Sequence, residues 1–180
     1  MKETTKIVDE FVAKGYKVMT MDASSFELSQ KTPSHGWRRR GRRVTVQATL
    51  SRKKTTVFGV LGEDTFFFRF YKKANSKTVR RFLRQVHKKF EKVLIILDNA
   101  SYHKSKKVKE LLEEFEGDIQ FVFLPPYTPE LNPIEIQWRL LKRALSDKLF
   151  LEISELKKSI RRLVRRKEVM PVQMPQYLIT

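Results

Sequence analysis

Residues 93–100 read Val-Leu-Ile-Ile-Leu-Asp-Asn-Ala, and no other stretch of the 180-residue chain limits its fold as much. Five consecutive apolar residues, rich in Ile, Leu and Val, suit a strand covered on both faces, which requires helices on either side of a sheet. The abrupt Asp98-Asn99 puts an acid at the carboxyl edge of that central strand, where open α/β sheets place their ligands. Two other segments supply acids that can meet it. Residues 18–22 are an apolar run ending in Asp22, and residues 132–135 open a helix with Glu135 in its first turn.

The charge balance indicates the partner class. Lys plus Arg number 38 against 20 Asp plus Glu, for a formal charge of +18. Such an excess repels itself in a compact chain unless a polyanion offsets it, so nucleic acid is the first expectation, with a basic ribosomal or membrane-surface protein open on charge alone. The chain has no cysteine, which excludes disulfides, thiolate nucleophiles and thiolate metal sites. The opening residues carry no apolar core of signal type and no apolar span of about 18 residues occurs, so the expectation is a cytoplasmic protein without a membrane partner.

In chain order, residues 4–14 predict a helix with Ile7, Val8, Phe11 and Val12 on one stripe and Gly15 ending it. Residues 16–21 predict the first strand, and residues 31–43 a basic loop carrying Lys31, Trp37 and the arginines Arg38, Arg39, Arg40, Arg42 and Arg43. Arginine pairs with phosphate and stacks, and Trp37 adds a platform, so this loop is the candidate DNA-facing element, with a merely solvated basic loop as the alternative. Residues 44–50 predict a short strand, and 55–61 with 65–71 a hairpin whose Phe66, Phe68 and Phe70 face one way, read as core in preference to a base-stacking platform. Asn75 or Ser76 caps a helix to about residue 89, in which His87 takes an ordinary surface or packing role in preference to metal ligation. Ser101 is the expected cap of a helix over 104–115, followed by Gly117 and a strand over 119–124. Strand, helix, strand in this order implies parallel neighbours. After the stiff Pro125-Pro126-Tyr127-Thr128-Pro129, Asn132 caps, Pro133 takes the first helical position, and Ile134, Trp138, Leu141 and Leu145 face the sheet. Ser154 is the expected start of a last helix with a basic outer face.

Asp22, Asp98 and Glu135 brought together repel one another unless cations neutralise them, and hard oxygen donors suit Mg²⁺ or Mn²⁺. Two such ions serve phosphodiester chemistry. Spacing alone leaves each acid a second role: Asp22 in a turn with Ser24 and Ser25, Asp98 bonding the backbone near Ala100, and Glu135 as a capping-box acid pairing with Arg139.

Val18-Met-Thr-Met-Asp22-Ala-Ser-Ser-Phe26, Leu94-Ile-Ile-Leu-Asp98-Asn-Ala-Ser-Tyr-His103 and Leu124-Pro-Pro-Tyr-Thr-Pro-Glu-Leu-Asn-Pro-Ile-Glu135-Ile-Gln-Trp138 together resemble the DDE catalytic domain of mariner-like transposases, most nearly their prokaryotic insertion-sequence branch. The resemblance spans about residues 16–145, and the 36 residues between Asp98 and Glu135 match the mid-thirties spacing of that superfamily. It implies an α/β, RNase H-like fold: a mixed five-stranded sheet with helices on both faces, in which Asp22, Asp98 and Glu135 hold two Mg²⁺ ions, with Mn²⁺ able to substitute. It further implies an endonuclease and strand transferase that cuts transposon ends and joins the 3′-hydroxyl to target DNA, acting as a homodimer. Asn99 and His103 fall at flanking positions and take supporting or DNA-positioning roles by the same likeness, with an ordinary helix-start role the alternative for His103.

The organisation expected is a leading helix or linker over 1–15, the catalytic domain over 16–148 with its basic insertion at 31–43, and a basic helix and tail over 149–180. Two departures stand out. Many relatives have Asp-Glu at the first motif where this chain has Asp22-Ala23, and the helix-turn-helix that reads transposon ends is expected from a missing domain or a separate polypeptide. The rival readings are a ribonuclease of RNA-DNA hybrids and a catalytically inactive DNA-binding or assembly protein.

Overall fold

In the computed structural model, which describes residues 2–28, 40, 51–125, 132–146, 148–169 and 171–172, the order of elements is α1 (Lys2–Ala13), β1 (Lys17–Glu27), β2 (Lys54–Leu61), β3 (Phe66–Tyr71), α2 (Ser76–Phe90), β4 (Val93–Leu97), α3 (Lys106–Glu114), β5 (Ile119–Phe123), α4 (Pro133–Leu145) and α5 (Ile153–Arg165). The strands form one mixed sheet in the order β3-β2-β1-β4-β5. β1, β2 and β3 pair antiparallel, while β4 lies parallel to β1 and β5 parallel to β4. All five residues of β4 are fully buried, as the uninterrupted apolar run requires.

Alternation along the strands divides the core in two. Met19, Met21, Phe58, Val60, Ile95 and Leu97 point to the face covered by α2 and α3, where Val79, Phe82, Leu83, Val108 and Leu111 meet them. Phe26, Val57, Leu61, Leu94 and Ile96 point to the opposite face, covered by Ile134, Trp138 and Leu141 of α4, by Leu156, Ile160 and Leu163 of α5, and by Val8 of α1. The sheet is therefore flanked by helices on both sides, an RNase H-like arrangement.

Several boundaries differ from the sequence-based expectations. β1 continues six residues past Met21 because β2 pairs with it from Thr20↔Leu61 to Glu27↔Lys54. Asp22 consequently lies within a strand and not in a turn. The polar Asp22-Ala-Ser-Ser run has low strand propensity, and the ladder to β2 overrides it. Val12 is 45% exposed and lies off the buried stripe of α1. α3 is capped at Ser105, not Ser101, since residues 101–104 form a turn. α5 opens with a capping box between Glu152 and Glu155, ahead of Ser154. Asn75 caps α2 as expected, with a reciprocal box to Thr78. His87 has the packing role anticipated, stacked 4.2 Å from Phe115 with its Nε2 2.8 Å from Asp118. The strand expected at 44–50 lies outside the described residues.

Candidate active site

Asp22 and Asp98 are brought together by strand register. The last parallel pair of β1 and β4 is Met21↔Leu97, so the next residue on each chain is an aspartate. Alternation points Asp22 to the α4 side of the sheet, as Phe26 in the same strand does. From that side Trp138 of α4 donates its indole N–H to Asp22 Oδ2 at 2.9 Å. Trp138 is only 1% exposed, wedged edge-on against Phe26 and Phe66.

A glycine makes this approach possible. Gly59 is the β2 partner of Asp22. A methyl group at that position would lie 2.7 and 2.9 Å from the indole carbons Cη2 and Cζ2, and 3.0 Å from Phe66 Cε2. The absent side chain is thus the slot through which the indole crosses β2 to reach the carboxylate. Neither Gly59 nor the polar end of Trp138 was singled out in the sequence, where Trp138 reads simply as core. An isolated glycine within a strand pattern was the available signal.

Asp98 is 52% exposed at its side chain and accepts the Ala100 backbone N–H through Oδ1 at 3.1 Å. The local backbone bond allowed for it therefore exists and orients the carboxylate. Glu135 occupies the first turn of α4 with Pro133 at the helix start, as expected. The capping-box reading of Glu135 gains no support, because Asn132 makes no side-chain cap bond and no ion pair joins Glu135 to Arg139 among the described residues.

Both other acids act on Asp22. Burial, then the negative charge of Glu135, and more weakly that of Asp98, push the Asp22 carboxyl up to about 6, against the lowering effect of the Ala23 and Trp138 hydrogen bonds. Among the described residues no three acids or histidines are gathered closely enough to form a ready-made metal-binding group. A buried carboxylate left destabilised by its neighbours, among hard oxygen donors, nevertheless matches what a divalent cation would neutralise.

Asn99 and His103 border this cluster. The Asn99 side-chain amide donates to the Leu124 carbonyl, and its oxygen accepts from Lys104 Nζ, which also lies 4.9 Å from the Phe123 ring centre. Asn99 thereby ties the end of β4 to the end of β5. His103 is buried, with Nε2 3.5 Å from Asp98 Oδ1 and no partner for Nδ1 among the described residues. Burial lowers it to about 4, outweighing the opposing pull of Asp98. Tyr102, pushed up to about 12 by burial and by Asp98 and Asp22, stays a neutral phenol beside them. Of the basic loop, Lys31, Trp37, Arg38, Arg39, Arg42 and Arg43 lie outside the described residues, and Arg40 is an exposed turn residue.

Asp22 and His103 oppose each other as pH changes. Folded His103 resists the proton that the unfolded chain accepts below about 6.5, so its effect is to remove stability as pH falls from 6.5 to 4. Folded Asp22 retains a proton that the unfolded chain releases above 3.8, so stability is lost as pH rises from 3.8 to 6. Each amounts to on the order of 3 kcal/mol, and the two nearly cancel. His103→Leu should expose the Asp22 slope: urea unfolding without divalent metal should show stability falling by ~2 kcal/mol between pH 4 and 6. A flat profile in that variant would refute the assignment.

Comparisons with known proteins supply a family and a fold. A family model described as "DDE superfamily endonuclease" matches residues 17–157. The Mos1 strand transfer complex superposes with a TM-score of 0.72 at 19% identity, covering 92% of this chain and 53% of that one. The Mos1 mariner paired end complex with Mn gives 0.72 at 18% identity, over 99% of this chain and 56% of the other, and the Mos1 catalytic domain alone 0.63 at 17%, over 92% and 79%. At such identities the likeness is one of fold. An uncharacterized protein, y4pE/y4sA of Sinorhizobium fredii (strain NBRC 101917 / NGR234), is 34% identical over 64 residues, which are 35% of this chain and 44% of that protein. The chain thus spans about half the length of the full Mos1 chains.

Proposed function

The chain belongs to the DDE superfamily endonucleases, and from that membership we propose that it is the catalytic portion of a transposase of the prokaryotic insertion-sequence branch, which cuts DNA at transposon ends and joins the freed 3′-hydroxyl to target DNA. The observation that carries the reading is the register of β1 and β4, which sets Asp22 beside Asp98 at one sheet edge, with Glu135 close enough to raise the Asp22 carboxyl.

Asp22, Asp98 and Glu135 would hold Mg²⁺, or Mn²⁺ in its place, as two ions. When bound, the metal supplies Lewis-acid stabilisation of the phosphodiester oxygens and makes a bound water more acidic. The chain's own contribution is placement. Trp138 and the Ala23 backbone hold one carboxylate, Ala100 orients the second, and the first turn of α4 presents the third. The buried His103, neutral at pH 7, and the Asn99 tie between strand ends support the Asp98 loop without adding charge. The basic segment 31–43 is proposed to grip DNA, and a homodimer is the proposed active assembly. Mos1 transposase forms a paired-end complex with a transposon end and a strand transfer complex. End recognition is assigned to a helix-turn-helix unit outside this chain, whether a separate polypeptide or another domain. No helix among the described residues is long and apolar enough to cross a membrane, and DNA in the cytoplasm is the proposed setting.

Because the described acids form no ready-made metal group, the rival reading is a DNA-binding protein without catalysis. The two are separated by Mg²⁺-dependent nicking of a supercoiled plasmid. The expected result is nicking that Asp98→Asn abolishes, by more than ~10³-fold, while duplex affinity stays within about threefold. Plasmid bound but never nicked, with Mg²⁺ or Mn²⁺, would decide for the rival.

A further inference from the structure

A second surface lies on the same face of the sheet as the acids. Reading across the strands in register, Asp98 neighbours Asp22, Asp22 pairs with Gly59, and Gly59 pairs with Phe68 of β3. Trp138 covers Gly59 and separates the carboxylates from the β3 end of this row. Beyond it Phe66, Phe68 and Phe70, each half-buried, form with Lys157 and Arg161 of α5 a groove of about 460 Å³ along the outer strand of the described sheet.

The lining combines two chemistries. Phe66 and Phe68 stack at 5.3 Å, and Phe70 meets Phe68 edge-on at 5.6 Å, so the rings form a continuous aromatic wall. Above Phe70 stand the Arg161 guanidinium at 4.9 Å and the Lys157 ammonium at 5.6 Å from the ring centre. Neither cation has an acidic partner among the described residues, whereas Arg80 and Arg84 on the opposite face share Glu114. A core stripe requires only the rings. Two unneutralised cations held over them in a chain of charge +18 add a site for an anion beside a flat apolar surface.

We propose that the Phe66-Phe68-Phe70 groove with Lys157 and Arg161 binds single-stranded DNA, the aromatic wall meeting unpaired bases and the two cations the adjoining phosphates. In a duplex the base faces are buried in the stack, so a wall of rings selects strands with free base faces, while lysine and arginine track the backbone. The assignment rests on the reading of this chain as one that acts on DNA. It adds a second DNA-binding surface, on the far side of Trp138 from the carboxylates, suited to a strand displaced at a cut end.

The test uses the full chain in EDTA, so that divalent metal contributes nothing, with fluorescently labelled (dT)₁₂ and a 12-base-pair duplex as probes. Lys157→Glu/Arg161→Glu should weaken (dT)₁₂ binding at least tenfold and duplex binding far less. Lys158→Glu/Arg162→Glu, the same charge change on exposed positions of the same helix, should weaken both probes equally and by less than threefold. Photocrosslinking of wild-type protein to a 5-iododeoxyuridine strand should label a peptide containing residues 66–70, a readout independent of whether any substituted chain folds. Equal losses for the two double variants, or crosslinks confined to other segments, would overturn the groove. So would a change from dimer to monomer in the Lys157→Glu/Arg161→Glu protein with (dT)₁₂ affinity intact, which would make the face a contact between copies. Mg²⁺-dependent plasmid nicking that persists alongside such a failure leaves the endonuclease reading standing, and absence of all DNA binding removes both.

Discussion

Asp22→Asn should make the metal-free protein more stable and its chemistry undetectable. The aspartate is a buried carboxyl whose ionisation is opposed first by burial and then by Glu135 and Asp98. Since its folded value lies above the 3.8 of the free side chain, folding binds a proton that the unfolded chain has released throughout the window from 3.8 to about 6. Above pH 6 the ionised carboxylate therefore costs the fold on the order of 3 kcal/mol, an upper figure because the site relaxes. Asparagine removes the charge and keeps an oxygen for the Trp138 N–H. At pH 7.5 in EDTA the variant should gain ~1–3 kcal/mol, raising Tm by roughly 2–10 °C. The gain should vanish at pH 4, where the native aspartate is protonated. The variant should also lack the stabilisation expected from Mg²⁺ in wild type, about 2.7 kcal/mol at a hundredfold excess over Kd. Plasmid nicking should fall more than ~10³-fold. An Asp22→Asn protein less stable than wild type at pH 7.5 would show that the carboxylate is structural, held by its hydrogen bonds and not strained by its neighbours.

Gly59→Ala adds one methyl group and should have an effect out of proportion to its size. The methyl falls 2.7 Å from the indole, which can retreat only by disturbing the Phe26 and Phe66 rings packed against it, since only 1% of its surface is exposed. Overpacking of this kind costs ~1–3 kcal/mol, and withdrawal of the indole from Asp22 adds the loss of a hydrogen bond to a charged group, for about 2–4 kcal/mol in all. Tm should drop by roughly 5–15 °C. Nicking by protein that remains folded should fall ~10–100-fold, the usual consequence of disturbing a ligand's support. Trp138→Phe keeps an aromatic ring in the core and deletes the donor without forcing a clash, so it should reproduce the activity loss with a smaller change in Tm. In the double variant the two activity losses should not add, because both act through one contact. Full additivity would mean that Gly59 influences the site by some route other than the indole.

These expectations draw on features of unequal visibility in the sequence. The central strand, the hairpin and the helix carrying Glu135 were legible because each is dictated locally: an unbroken apolar run, an alternating aromatic run, and Asn132-Pro133 at a helix start. The extension of β1 through Asp22 was not, because what holds those polar residues extended is a ladder to β2 that begins 27 residues after β1 ends. The indole contact was hidden for a similar reason. It joins residues 116 positions apart and depends on a missing side chain in a third strand. Asp22, Asp98 and Glu135 could all be named as candidates from boundary position alone, but the strain at Asp22 is a property of the assembled site, and no stretch of chain taken singly contains it. The aromatic stripe was read as core, and its inner edges do pack there; that its outer edges adjoin two cations without an acidic partner among the described residues depends on where α5 docks.

β1 also determines when the acids meet. Its antiparallel partner is reached through one insertion and its parallel partner only after the hairpin and α2, so Asp22 and Asp98 stand 76 positions apart along the chain. Pairing of β1 with β4 closes the longer loop and is the more entropically demanding of the two contacts. Until it forms, the hairpin half and the β4-α3-β5 half each carry a single aspartate of the pair, and neither experiences their mutual repulsion. Like-charge repulsion between the two carboxylates opposes that joining of the halves, so a divalent cation that neutralises the pair should speed this step, beyond the ionic-strength dependence that a charge of +18 gives the whole chain.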